Sequence, residues 1–98
     1  MSQPTITHLQ FAVLSILGHE EKTGRAIRCD LGGIGVKSSG PAFYQLMGRL
    51  EEGKLIEGRY DQRIVDGQII KERAYWAKPS GQRAVHQTRA FYGALLNK

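Results

Sequence analysis

Gln45 and Arg49 stand four residues apart in a run whose apolar members, Phe43, Leu46, Met47 and Leu50, repeat at helical spacing. Neither belongs to that stripe, so both face away from the side the helix buries. Arginine can pair with the O6 and N7 edge of guanine, and glutamine with the N6 and N7 edge of adenine. A solvated helix face is the plain alternative for the same spacing. Lys37, Ser38 and Ser39 come just before this run. At a helix N-terminus their hydroxyls, the unpaired backbone N–H groups and the helix dipole can hold a phosphate, and the serines can cap the helix at the same time. Arg63 and Lys71 flank an Asp66-Gly67 turn, where a hairpin tip lying beside a duplex meets backbone first. Arg59 and Arg73 lie further from that tip and are expected to pair with Glu57 or Glu72.

Other reactive residue types do not assemble into a reaction. His8, His19 and His86 have no paired metal-ligand spacing, and Cys29, the single cysteine, cannot complete a common zinc set. Cys29 follows Arg28, but neighbours on a helix point apart, so a structural thiol is preferred to a redox sensor. Gly32, Gly33 and Gly35 lack the Lys-Ser/Thr of a phosphate loop and follow a helix, so they read as a turn. Glu51 and Glu52 diverge on a helix and make no acid–base pair. The expectation is no enzyme, no metal and no cofactor.

The elements that would position these residues follow from periodicity. Thr5 to Leu17 reads as a first helix, with Leu9, Val13, Ile16 and Leu17 on one face, a Thr7/Gln10 capping box and Gly18 as its stop. His19 to Lys22 reads as a polar link. Thr23 can cap a second helix holding Ile27 and Leu31, which the glycines from Gly32 end. Ser38 or Ser39 caps a third, with Pro41 in its first turn and Gly53 as its stop. The period then changes. Leu55 to Val65 and Gln68 to Lys78 read as strands around Asp66-Gly67, a type I′ hairpin signal. Gln82 to Leu96 reads as a fourth helix with the stripe Val85, Thr88, Phe91, Tyr92, Leu95 and Leu96. Three helices, a β-hairpin and a closing helix describe an α+β, mainly helical, winged helix-turn-helix. In such folds the second helix of the reading pair enters the major groove.

The bulk properties agree. At 98 residues the chain suits one domain, 1–98, with 80–98 as a dimerisation helix that covers a stripe one small domain leaves open. The hydrophobic fraction of 41% is globular, and no apolar run is long enough to cross a bilayer. No signal peptide is apparent, and one cysteine fits a reducing compartment, so a cytoplasmic protein is expected. The net charge of +5 attracts polyanions. Between Glu21 and Leu50 the cations Lys22, Arg25, Arg28, Lys37 and Arg49 oppose only Glu21 and Asp30, and the last segment carries Arg83, Arg89 and Lys98 without an acid.

Val13-Leu14-Ser15-Ile16-Leu17 with Thr23-Gly24-Arg25-Ala26-Ile27 resembles the start of PadR-family regulators. The run from Phe43 through Gly53 to Ile56 is similar to that family's recognition helix and its turn into the wing. Tyr75, Pro79 and Gly81 keep its spacing into the last helix. The most specific part is Tyr44 through Ile56. Departures are Arg25 where an aromatic is usual, Gln45 where Pro is usual, and Lys78 where Thr opens the last helix, which leaves Ser80 to cap it. The resemblance implies double-stranded DNA as partner, repression, and a homodimer joined through the last helix, and Tyr44, which matches the family's helix-three Tyr, is a further residue that either touches DNA or packs. Some members release DNA on binding small aromatic compounds, and Trp76, Phe91 and Tyr92 are the candidate pocket for one, with core packing as the plainer role. A winged helix serving only protein interaction is the competing function. Glu52 and the wing residues Ile64, Val65, Ile69 and Ile70 favour it, although strand propensity alone also accounts for the isoleucines.

Overall fold

A computed structural model describes residues 6–97. Thr5, where the first helix was expected to begin, and Lys98 lie outside the described residues. The chain forms α1 (His8–Leu17), β1 (Lys22–Thr23), α2 (Gly24–Gly33), α3 (Gly40–Glu52), β2 (Ile56–Val65), β3 (Gln68–Ala77) and α4 (Pro79–Leu96). This is the expected winged helix-turn-helix, with one strand more than the sequence suggested. The strands make one antiparallel sheet in the order β1-β3-β2.

Local chemistry explains most boundaries. Thr7 accepts from the Gln10 backbone N–H while the Gln10 side chain accepts from the Thr7 N–H, closing the capping box of α1. Gly18 ends α1 with φ 54°. Thr23 caps α2 and Ser39 caps α3, each accepting from the N–H three residues on. Asp66 and Gly67 have φ of 52° and 78°, the left-handed pair that a type I′ turn requires.

Some boundaries differ from expectation. The link at His19–Lys22 ends in β1, where Lys22 and Thr23 pair with Tyr75 and Ala74. A two-residue strand carries no period of its own and exists only because the β3 edge is free to accept it. Gly53 caps α3 as expected, in the helical region at φ −73°, and Lys54 takes the left-handed position at φ 59°. α4 starts at Pro79, three residues before the expected Gln82, and Ser80 does not cap it. The Ser80 hydroxyl donates to the Lys54 carbonyl, and the Lys78 N–H donates to the Leu55 carbonyl. These two bonds stitch the start of α4 to the turn before β2.

The core gathers Val13, Leu14 and Leu17 of α1, Ile27 and Leu31 of α2, Phe43, Met47 and Leu50 of α3, and Ile56, Tyr75 and Ala77 at the wing base. Burying each large side chain stabilises by about 1.5–3 kcal/mol. Beyond the base the wing leaves the body, and every residue from Arg59 to Ile69 is exposed. The stripe of α4 divides. Val85 packs on the core and Thr88 is buried, its hydroxyl donating to the Ala84 carbonyl at 2.7 Å. Phe91 is half-buried, while Tyr92, Leu95 and Leu96 are exposed. Among the described residues no helix is long and apolar enough to cross a membrane.

Candidate nucleic-acid interface

The outward side of α3 follows from what it buries. With Phe43, Met47 and Leu50 in the core, Gln45, Gly48 and Glu52 lie on the opposite face, all exposed. Tyr44 and Glu51 form the flank towards the wing. Arg49 forms the other flank, where with Gln45 it borders a shallow groove shared with Thr7, His8, Leu9 and Gln10 of the α1 end. The two base-reading candidates are thus exposed on one surface, with Gln45 the more central.

Two open grooves meet at Tyr44 and Arg25. The first, about 450 Å³, is lined by Arg25, Arg28 and Cys29 of α2, Lys37 and Ser38 of the linker, and Tyr44. The second, about 440 Å³, is lined by Arg25, Tyr44, Tyr60, Lys71, Glu72 and Arg73. Arg28 donates to the Ser38 carbonyl at 3.1 Å and stacks over Phe43 at 5.8 Å, which holds the linker against α2. Ser39 spends its hydroxyl on the Ala42 N–H as the α3 cap.

Arg73 ties the wing to α3. Its guanidinium donates to both carboxylate oxygens of Glu51, with Nη2 at 2.9 and 2.8 Å and Nε at 3.1 Å. It also lies 4.9 Å from the Tyr60 ring and 5.5 Å from the Tyr75 ring. The hydrogen bonds that Arg73 donates to Glu51 raise its pKa above the ordinary value against the opposing effect of burial. Burial pushes the Tyr75 phenol up, against the pull of Arg73. A side chain at Gly58 would press on the Arg73 guanidinium, so glycine keeps room for the ion pair. Arg73 was expected to pair with Glu57 or Glu72. It pairs with Glu51 because the strand pleat turns it towards α3. Arg59 meets Glu21 at 2.9 Å and Asp61 at 3.6 Å instead of either expected partner.

Arg63 and Lys71 sit on opposite faces of the wing. The register pairs Gln62 with Lys71, Tyr60 with Arg73 and Ile64 with Ile69, so Lys71 shares the face that looks to α3. Arg63 opposes Ile70 and belongs to the other face, where it donates to Glu72 at 2.9 Å. Lys71 makes no ion pair among the described residues.

The aromatic candidates fall into separate contacts. Phe91 and Tyr92 meet edge to face at 5.3 Å, and Tyr92 reaches Phe11 at 6.4 Å. Trp76 lies under Arg59 at 6.0 Å. Sequence reasoning did not single out Arg25, Arg28, Glu72 or Arg73 for this surface. For the first two a signal existed: Arg25, Arg28 and Gly32 recur at helical spacing on the unburied face of α2. For Glu72 and Arg73 none did, since their partners are distant in the chain.

No protein-family model and no curated protein matches the chain. Solved structures do. A PadR family transcription regulator from Clostridium difficile superposes with a TM-score of 0.80 at 15% identity, over 93% of each chain. A PadR family transcriptional regulator from Eggerthella lenta gives 0.73 at 26% identity, over 91% of this chain and 75% of that one. Bacillus subtilis PadR in complex with operator DNA gives 0.69 at 20% identity, over 83% of this chain. There the match spans 45% of the longer PadR chain. The chain has the winged-helix fold of PadR-family transcriptional regulators.

Proposed function

We propose that this protein binds double-stranded DNA in a sequence-selective way and regulates transcription, as a cytoplasmic homodimeric repressor. The observation that carries this reading is the convergence of cations from three parts of the chain. Arg25 and Arg28 of α2, Lys37 of the linker and Lys71 of the wing border grooves that meet at Tyr44, beside the exposed face of α3. The operator complex formed by the fold relative from Bacillus subtilis supports the same assignment. Gln45 and Arg49 are the base readers, and Lys37, Ser38, Ser39, Tyr44 and the wing cations anchor the backbone. The exposed end of α4, with Tyr92, Leu95 and Leu96, supplies the dimer contact beyond Val85, Thr88 and Phe91. An aromatic effector that releases DNA would bind beside Phe91 and Tyr92.

Selection of genomic fragments by the purified protein, followed by anisotropy titration at several salt concentrations, tests the reading. A preferred duplex should bind with a steep salt dependence. Arg49→Ala should cost about 1–3 kcal/mol on that duplex and relax preference at one position. Lys71→Ala should weaken all sequences alike. Salt-insensitive or absent duplex binding would replace this function with the protein-interaction reading, which the exposure of Ile64 (75%) and Ile69 (71%) favours.

A further inference from the structure

Glu72 joins α2 to the wing. One carboxylate oxygen forms an ion pair with Arg25 at 3.0 Å, and the other accepts a hydrogen bond from Arg63 at 2.9 Å. Arg25 belongs to the first turn of α2 and Arg63 to the wing, so one acid ties together two elements that only tertiary structure brings near. The exposures are unequal. The Glu72 side chain is 12% exposed, whereas Arg25 and Arg63 are 76% and 60% exposed. The carboxylate is withdrawn from water and needs its cations, whereas the two guanidinium groups remain largely in solvent. A guanidinium carries five N–H donors, and each arginine uses only part of its fork on Glu72. The remaining donors are open to solvent at the meeting point of α2 and the wing. The acid also removes the repulsion between the two cations and orders two long side chains before any ligand arrives.

We propose that Arg25 and Arg63, held by Glu72, clamp a single phosphodiester of the DNA backbone, with Glu72 as a positioning residue that does not itself touch the phosphate. The fork geometry of guanidinium suits a phosphate held by two parallel N–H groups. This inference rests on the duplex-binding reading above.

Titration of a random-sequence duplex at several salt concentrations tests it, with wild type, Arg25→Ala, Arg63→Ala, the double variant and Glu72→Gln. Each single arginine variant should lower the magnitude of the log K against log salt slope by about 1, the loss of one phosphate contact. The double variant should lower it by the same amount, because both arginines serve one phosphate. Glu72→Gln removes a negative charge from a surface facing a polyanion, which by charge alone tightens binding. The clamp requires the opposite, a loss of about three- to tenfold, the scale of disordering one or two long side chains. In the Arg25→Ala background that loss should vanish. Slope changes that add to about 2 in the double variant, or Glu72→Gln binding as tightly as wild type, would overturn the clamp while leaving DNA binding intact. Should Glu72→Gln fail to fold by thermal unfolding, the exposed arginine pair decides alone. A wild type without salt-sensitive duplex binding removes the functional reading and the clamp with it.

Discussion

The base and the tip of the wing are one hairpin under two different physical regimes. At the base Ile56, Tyr75 and Ala77 are core residues, and Ala74 is buried where β1 pairs beside it. Around them Arg73 grips Glu51, and α4 is stitched to the turn through the Lys54 and Leu55 carbonyls. At the tip Ile64 and Ile69 face each other with most of their surface in water, and the Asp66-Gly67 turn sets the register. The base is therefore held by packing that tolerates little change. The tip is held by turn chemistry and ladder hydrogen bonds, and its side chains are free to meet a partner. A regulator can vary its wing tip without risking its fold only if the two regimes stay separate.

The strongest challenge to that separation is Gly81. A Cβ there would overlap the Leu55 carbonyl and press on Leu14. Gly81→Ala should destabilise by about 3 kcal/mol, as overpacking against backbone does, measured by urea unfolding. A loss below about 1 kcal/mol would mean that the junction of α4 and the base yields readily. Next is Glu51→Gln, which keeps the shape but weakens the acceptor of a half-buried guanidinium. It should cost about 1–2 kcal/mol and loosen the wing, visible as faster amide exchange along β3. At the tip, Gly67→Ala places a side chain at φ 78° and should cost about 1 kcal/mol without touching the core.

Tyr75 sharpens the comparison through pH. Burial holds its phenol above the ordinary value, so the folded state keeps the proton after the unfolded chain releases it. The associated stability is fully present below about pH 10 and is lost as pH rises through the folded value. Tyr75→Phe should flatten the alkaline limb of the stability curve, measured by urea unfolding at a series of pH values. The smallest effects belong to Ile64→Thr and Ile69→Thr, which should each shift stability by less than about 0.5 kcal/mol in thermal unfolding. A larger shift would show that the tip is covered, as the protein-interaction reading requires.

Much of this architecture is legible in the residues themselves. The capping box at Thr7 and Gln10, the caps at Thr23 and Ser39, and the Asp66-Gly67 turn depend on contacts within a few residues, so type and spacing suffice to read them. The apolar stripes of α1 and α3 likewise determine which faces are buried, and hence that Gln45 points outwards. Tertiary structure alone decided what depends on distant neighbours. It drew Lys22 and Thr23 into the sheet, moved the start of α4 to Pro79, and gave the left-handed position to Lys54. It also chose the ion-pair partners. A charged side chain has several acids within reach along the sequence, and only the pleat of β3 and the packing of α2 and α3 sent Arg73 to Glu51 and both Arg25 and Arg63 to Glu72. Short-range hydrogen bonds and periodicity are encoded residue by residue, whereas Coulomb attraction has no preferred sequence separation and waits for the fold to bring charges together.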